Sequence, residues 1–176
     1  MLQLHDKTFE PYLSEADIQE IVEEMAHKMA VLSQEKPLFL VVLKGSFMFA
    51  SDLLKCLPFD ADMAFIQLHS YEGTQSSGTI TNLMGLPKHL SQRTLVVLED
   101  IVDTGNTLEY LNNQLIKEQP KRIYYASLLL KPSVYNKSIT IDFVGKEIPN
   151  HFVVGYGLDY NELGRTLPQL YKLKNT

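Results

Sequence analysis

Three carboxylates and a hydroxyl-rich turn lie together in this chain: Glu99, Asp100 and Asp103, then Thr104-Gly105-Asn106-Thr107. The apolar run Leu95-Val96-Val97-Leu98 precedes them, as in a strand buried on both faces. Small hydroxyl residues and main-chain N–H groups at a helix N-terminus can hold a phosphate dianion. Carboxylates at the strand's end can hold ribose hydroxyls or magnesium. Ligands of open parallel sheets sit beyond the carboxyl ends of the strands, where this segment falls. A plainer account is an ordinary helix entry, with Asp103 or Thr104 as cap and Gly105 easing the turn. Glu99 and Asp100 weigh against it. Adjacent carboxylates at the end of an apolar strand repel each other and are poorly solvated, unless they form a solvated surface pair. A metal ion or a polyhydroxyl ligand removes the conflict.

The elements that must position these groups follow from periodicity. Ser14-Glu15-Ala16-Asp17 reads as an N-cap with an acidic first turn. Ile18, Ile21, Val22, Met25, Ala26 and Met29 then recur at helical spacing, with the methionines as packing groups. Strands are expected over Leu38–Leu43, Met63–His69, Thr94–Leu98, Ile123–Leu130, Ile139–Val144, Phe152–Val154 and Leu170–Leu173. Helices are expected over Phe47–Leu57 and Thr107–Lys117. This alternation implies an α/β fold with a mainly parallel central sheet flanked by helices. Ser70–Lys88 is rich in Gly, Ser and Thr, and so is either functional or mobile.

The chain has 176 residues, an ordinary apolar fraction and a formal net charge of -5. That length suits one domain with a substantial core. The absence of a Lys/Arg cluster argues against a nucleic-acid partner. A single cysteine, Cys56, excludes an intrachain disulfide and fits a buried structural thiol. With no signal-like N-terminus and no membrane-length apolar run, a cytoplasmic location and no membrane partner are expected. The five histidines have no metal-ligand spacing.

The segment Leu95–Leu108 resembles the phosphoribosyl pyrophosphate signature of the purine phosphoribosyltransferases, in the type I phosphoribosyltransferase family. Further matches in order are Leu43-Lys44-Gly45-Ser46, Ser70-Tyr71, Ser127-Leu128-Leu129-Leu130-Lys131 and the run Phe152–Glu162. Together they extend from about Leu38 to Arg165. The resemblance implies one domain, with a core of about residues 36–150 and a small hood from about 1–35 and 151–176. It implies transfer of a 5-phosphoribosyl group to N9 of hypoxanthine or guanine, with Mg2+ as cofactor and a homodimer or homotetramer as the assembly. Breaking the anomeric bond builds charge on departing pyrophosphate, so such a protein must stabilise an anion, orient a base and exclude water.

Residue by residue, the resemblance makes Asp103, Thr104, Gly105, Asn106 and Thr107 the loop that holds the 5-phosphate. Many relatives carry Lys at the position of Asn106. Glu99 and Asp100 would take the ribose hydroxyls, directly or through magnesium, and Asp103 would exchange a proton with purine N7. Lys44 and Gly45 would lie beside pyrophosphate, where the family often has a non-proline cis peptide, and Arg165 would reach the same group. Lys131 would donate to the purine 6-oxo group, Phe152 would stack on the ring, and the Val153 backbone would bond its Watson–Crick edge. Asp159 would contribute to the purine site and to a second magnesium. Ser70 and Tyr71 would open a flexible loop that closes over the site. The sequence departs mildly at Ser46, where the family often has Gly, and at Gly164, where relatives often have a bulky aromatic residue.

Each residue also has a plainer reading. Lys44 can be an exposed loop lysine, Lys131 a snorkelling one and Phe152 a core residue. Two other functions stay open: an RNA-binding regulator on the same fold, or a phosphoribosyltransferase preferring xanthine.

Overall fold

The computed structural model describes residues 1–70, 80–82 and 84–174. The chain opens with a hairpin of β1 (Leu2–Leu4) and β2 (Lys7–Leu13), which periodicity did not indicate. Helix α1 (Glu15–Met29) follows. Its N-terminus is closed by a capping box, in which Ser14 Oγ accepts from the Asp17 N–H and the Asp17 carboxylate accepts from the Ser14 N–H.

Next come β3 (Leu38–Leu43), α2 (Phe47–Cys56), β4 (Asp62–Ser70) and β5 (Ile80–Asn82). Strand β6 (Thr94–Val102), α3 (Asn106–Leu115) and β7 (Arg122–Leu130) form the next crossover. The chain ends through β8 (Phe143–Glu147), β9 (Val153–Val154) and β10 (Leu170–Leu173). The central sheet has the order β5-β4-β3-β6-β7-β8. Five of its strands are parallel, and β5 runs antiparallel at the edge.

Leu95, Val96, Val97 and Leu98 are fully buried, because helices cover both faces of the sheet. Burying such side chains contributes roughly 1.5–3 kcal/mol each. Helices α1 and α2 pack on the face carrying Phe39, Val41, Val96 and Leu98, and α3 packs on the face of Leu40, Leu95 and Val97. The opening and closing strands make a second sheet, β1-β2-β10-β9.

Three expectations are corrected. Helix α1 falls within the proposed hood range of 1–35, yet it packs on the core sheet, because its buried residues share one cluster with α2 and β3. Strand β6 continues past Leu98 to Val102, because β7 pairs with it as far as Val102↔Leu130. The strand expected at Ile139–Val144 begins at Phe143, where pairing with Ala126 starts. Ile139 and Ile141 instead pack from an irregular segment.

Candidate active site

The pairing of β6 is lopsided at its carboxyl end. β3 accompanies it only as far as Val41↔Leu98, whereas β7 continues to Val102. Glu99 and Asp100 therefore sit inside a strand, not at its tip, yet border open space on the β3 side. Glu99 is buried, and its Oε1 has no hydrogen-bond partner among the described residues. Burial, and then the charge of Asp100, hold its carboxyl well above the ordinary range. Asp100 is pushed up to about 6, chiefly by burial. Its own backbone, the Ile101 N–H at 2.9 Å and Arg165 oppose the rise, whereas Asp159 adds to it.

Two pockets meet at Glu99. One, of about 90 Å³, is lined by Glu99, Ile101, Val102 and residues 103–108. The other, of about 170 Å³, is lined by Val42, Leu43, Gly45, Leu68, Glu99, Asp100 and Thr107. Glu99 and Thr107 border both.

The turn into α3 is not a side-chain-capped helix entry. Its N-cap is Gly105 in the left-handed region (φ 84), and no side chain caps it; neither Asp103 nor Thr104 does so. The first helical bond runs from the Glu109 N–H to the Gly105 carbonyl at 2.9 Å, so the N–H groups ahead of it remain for another acceptor. A Cβ at Gly105 would come within 2.5 Å of Tyr135 Cε2. The conformation and the space both require glycine.

Lys131 follows β7, and its backbone N–H donates to the Val102 carbonyl at 3.0 Å. Its side chain is only 8% exposed, and Nζ lies 2.9 Å from Asp103 Oδ2. A snorkelling lysine would point outward; this one points at the loop.

A second backbone junction faces Asp100. The Leu43–Lys44 peptide is cis. Ser46 is buried and donates to the Val42 carbonyl. A Cβ on Gly45 would collide with the Asp100 carboxylate, and one on Gly157 would collide with the Gly45 carbonyl. The Gly155–Gly157 turn therefore lies directly against the loop after β3. Arg165 donates from Nη1 to the Gly157 carbonyl at 2.8 Å and pairs through Nη2 with Asp159 Oδ1 at 2.7 Å. Its Nε is buried without a partner among the described residues. Lys44 pairs with Glu162 at 3.3 Å.

In the smaller sheet, Phe152 is 43% exposed and so is not a core residue. Tyr160 packs edge-on to it at 5.8 Å, and Lys7 Nζ lies 5.6 Å from its centroid. β9 is one of that sheet's two edge strands. The Leu173 N–H donates to the Phe152 carbonyl at 2.8 Å, which makes Val153↔Lys172 a non-hydrogen-bonded pair. The Val153 N–H and C=O therefore face the open edge.

The structure thus brings Gly45, Glu99, Asp100 and the loop 103–107 around two adjoining pockets, with Lys131 held to Asp103. Phe152 and Val153 stand in the smaller sheet and line neither pocket. Both oxygens of Asp159 are already engaged, one by Arg165 and the other by the Glu162 N–H at 2.8 Å. Asp159 thereby clamps Arg165 to the turn. The backbone of Ser70 closes β4, and Tyr71 lies outside the described residues. Sequence reasoning did not pick out Glu162 or Gly157; the run of glycines at 155 and 157 was the available signal for the latter.

Among the described residues, no cluster of three or more His, Cys, Asp or Glu side chains is arranged to hold a metal. Magnesium bound through one or two carboxylates completes its shell with phosphate oxygens and water. The partnerless Glu99 oxygen beside Asp100 fits that donor set.

Comparison with known proteins agrees with this geometry. Residues 13–161 match the model of the phosphoribosyl transferase domain family. The chain is 38% identical over 173 residues to a hypoxanthine-guanine phosphoribosyltransferase of Staphylococcus aureus, covering 97% of both chains. It is 40% identical over 164 residues to the one from Staphylococcus epidermidis, covering 92% of each. A crystal structure of a hypoxanthine phosphoribosyltransferase from Staphylococcus aureus superposes with a TM-score of 0.87 at 38% identity, covering 97% of this chain and 94% of that one.

Proposed function

The chain belongs to the phosphoribosyl transferase family, and on that premise we propose that it is a purine-salvage glycosyltransferase. It moves the 5-phosphoribosyl group from phosphoribosyl pyrophosphate to N9 of hypoxanthine or guanine, giving IMP or GMP and pyrophosphate. The observation that carries the choice of base is the Lys131–Asp103 pair at 2.9 Å. It sets a cationic donor beside a carboxylate acceptor, and a 6-oxopurine presents O6 and N7 side by side on one edge. Lys131 donates to O6. Asp103 takes the N7 proton as the N9 lone pair forms the bond to the anomeric carbon and the carbon–pyrophosphate bond breaks. A 6-amino group would meet Lys131 donor to donor, so adenine is disfavoured.

The donor lies across the two pockets. Its 5-phosphate takes the unpaired N–H groups and hydroxyls of Thr104–Thr107, with Asn106 as a neutral donor. Glu99 and Asp100 face the ribose hydroxyls, and Lys44, the Gly45 backbone and Arg165 face pyrophosphate. Glu99 and Asp100 would also hold Mg2+, which when bound neutralises charge on the departing pyrophosphate. Phe152 offers its exposed ring to the base, and the outward N–H and C=O of Val153 meet its Watson–Crick edge. Residues 1–13 and 151–174 make the hood of a single domain. A homodimer or homotetramer in the cytoplasm completes this reading. No described helix is long and apolar enough to cross a membrane. The net charge of -5 supports an enzyme over an RNA-binding regulator.

The test is incubation with Mg2+, phosphoribosyl pyrophosphate and each purine base, followed by identification of nucleotide. IMP and GMP are expected. No product from any 6-oxopurine would remove the proposal, and faster XMP formation would shift it to xanthine. Asp103→Asn should keep the melting temperature and lower kcat by about 100- to 10,000-fold. Unchanged turnover would take the proton-transfer role from Asp103.

A further inference from the structure

Each of three cations around the site is paired with a carboxylate: Lys131 with Asp103, Arg165 with Asp159, and Lys44 with Glu162. In each of the first two pairs the cation is largely shielded, Lys131 most of all. The third is open to water, with side-chain exposures of 53% and 74%, so an arriving anion can separate it most readily.

The backbone holds Glu162 there. Tyr160 and Leu163 exchange both hydrogen bonds, at 2.9 and 3.2 Å, across Asn161 (φ 48) and Glu162 (φ 68). This is a type I′ hairpin turn, and its second central position ordinarily takes glycine. The chain places a glutamate in that disfavoured conformation. The Glu162 N–H donates to Asp159 Oδ2 at 2.8 Å. The N-terminal hairpin fastens the turn from outside: Tyr160 donates to Asp6 at 2.7 Å, and His5 Nε2 donates to the Asn161 carbonyl at 3.1 Å. The turn thus holds a carboxylate against the lysine expected beside pyrophosphate.

We infer that Glu162 is a built-in competitor for the donor: its carboxylate occupies Lys44 in the free protein and must yield that lysine when pyrophosphate oxygens arrive. Glu162 acts through Lys44 and touches no reacting atom, so it tunes donor affinity and leaves the chemical step alone. The inference rests on the function proposed above for its consequence in turnover, but the competition itself concerns only an anion and Lys44.

The experiment is calorimetric titration of the full chain with magnesium pyrophosphate, alongside donor KM and kcat, for the wild type, Glu162→Gln, Lys44→Met and the double variant. Glu162→Gln should bind magnesium pyrophosphate about two- to fivefold tighter and lower donor KM by the same factor, with kcat unchanged. In the Lys44→Met background the Glu162→Gln change should have no effect. Equal affinities for the wild type and Glu162→Gln would overturn the inference. So would weaker binding by Glu162→Gln, or a gain that persists without Lys44, which would mark a general charge effect. If no nucleotide forms from any 6-oxopurine, the proposed function fails while the pyrophosphate titration still decides the role of Glu162.

Discussion

Two helices of this molecule begin in opposite ways. At α1, Ser14 and Asp17 satisfy each other's backbone donors and close the end with local side chains. At α3, Gly105 stands at the same structural position in a left-handed conformation, offers no side chain, and leaves the first N–H groups facing a pocket of about 90 Å³. Every helix start has the same unpaired donors. At α1 local side chains take up those donors, whereas at α3 they are left for the donor phosphate proposed above.

The sharpest way to break that contrast is Gly105→Ala. The added Cβ meets Tyr135 and sits at φ 84, a strain of about 1–3 kcal/mol, so donor KM should rise about 10- to 100-fold. Steady-state kinetics with phosphoribosyl pyrophosphate would read it, and an unchanged KM would mean that the open helix end holds no phosphate.

The acids near the two helix starts should also titrate with opposite signs. Asp100 rises from 3.8 to about 6 in the folded protein, so folding takes up a proton between those values. Its contribution is full below about pH 4 and is lost as pH rises towards 6. Asp17 is lowered, chiefly by the Ser14 hydroxyl and then by the Ser14 backbone N–H, so its contribution is present above 3.8 and is lost on acidification. Between pH 4 and 6 the melting temperature of ligand-free Asp100→Asn should therefore drop less steeply than that of the wild type, with Glu99 still contributing a fall in both. Identical pH slopes in the two proteins would contradict the buried-carboxylate account.

The smallest effect is expected at α1. Ser14→Ala should cost about 1 kcal/mol, a Tm loss of roughly 2–4 °C, measured by thermal unfolding. Its kcat and KM should not move; a kinetic change there would blur the distinction between the two ends.

What the sequence revealed follows the same division. The loop 103–107 is contiguous and joins a strand that opens on the apolar run Leu95–Leu98 to an amphipathic helix, so order along the chain alone places it. Leu38–Leu43 is similarly plain, because a strand buried on both faces has no polar interruption. The N-terminal hairpin was hidden: Glu10-Pro11-Tyr12 reads as a breaker, and β2 is stabilised by β10, which is remote in sequence. Ile139 and Ile141 show why apolar alternation misled. They report burial, while strand identity depended on where Ala126 offered a pairing partner. Glu162 was invisible as a site residue, because its meaning lies in two consecutive positive φ angles and in a lysine 118 residues away.

One wall of the site has a practical corollary for inhibitor chemistry. Because Glu99 and Thr107 border both chambers, any compound spanning the two must pass a buried carboxylate with an unpaired oxygen. A linker bearing hydroxyls could hydrogen-bond that oxygen at the threshold, whereas an all-hydrocarbon tether of equal length would leave it unsatisfied.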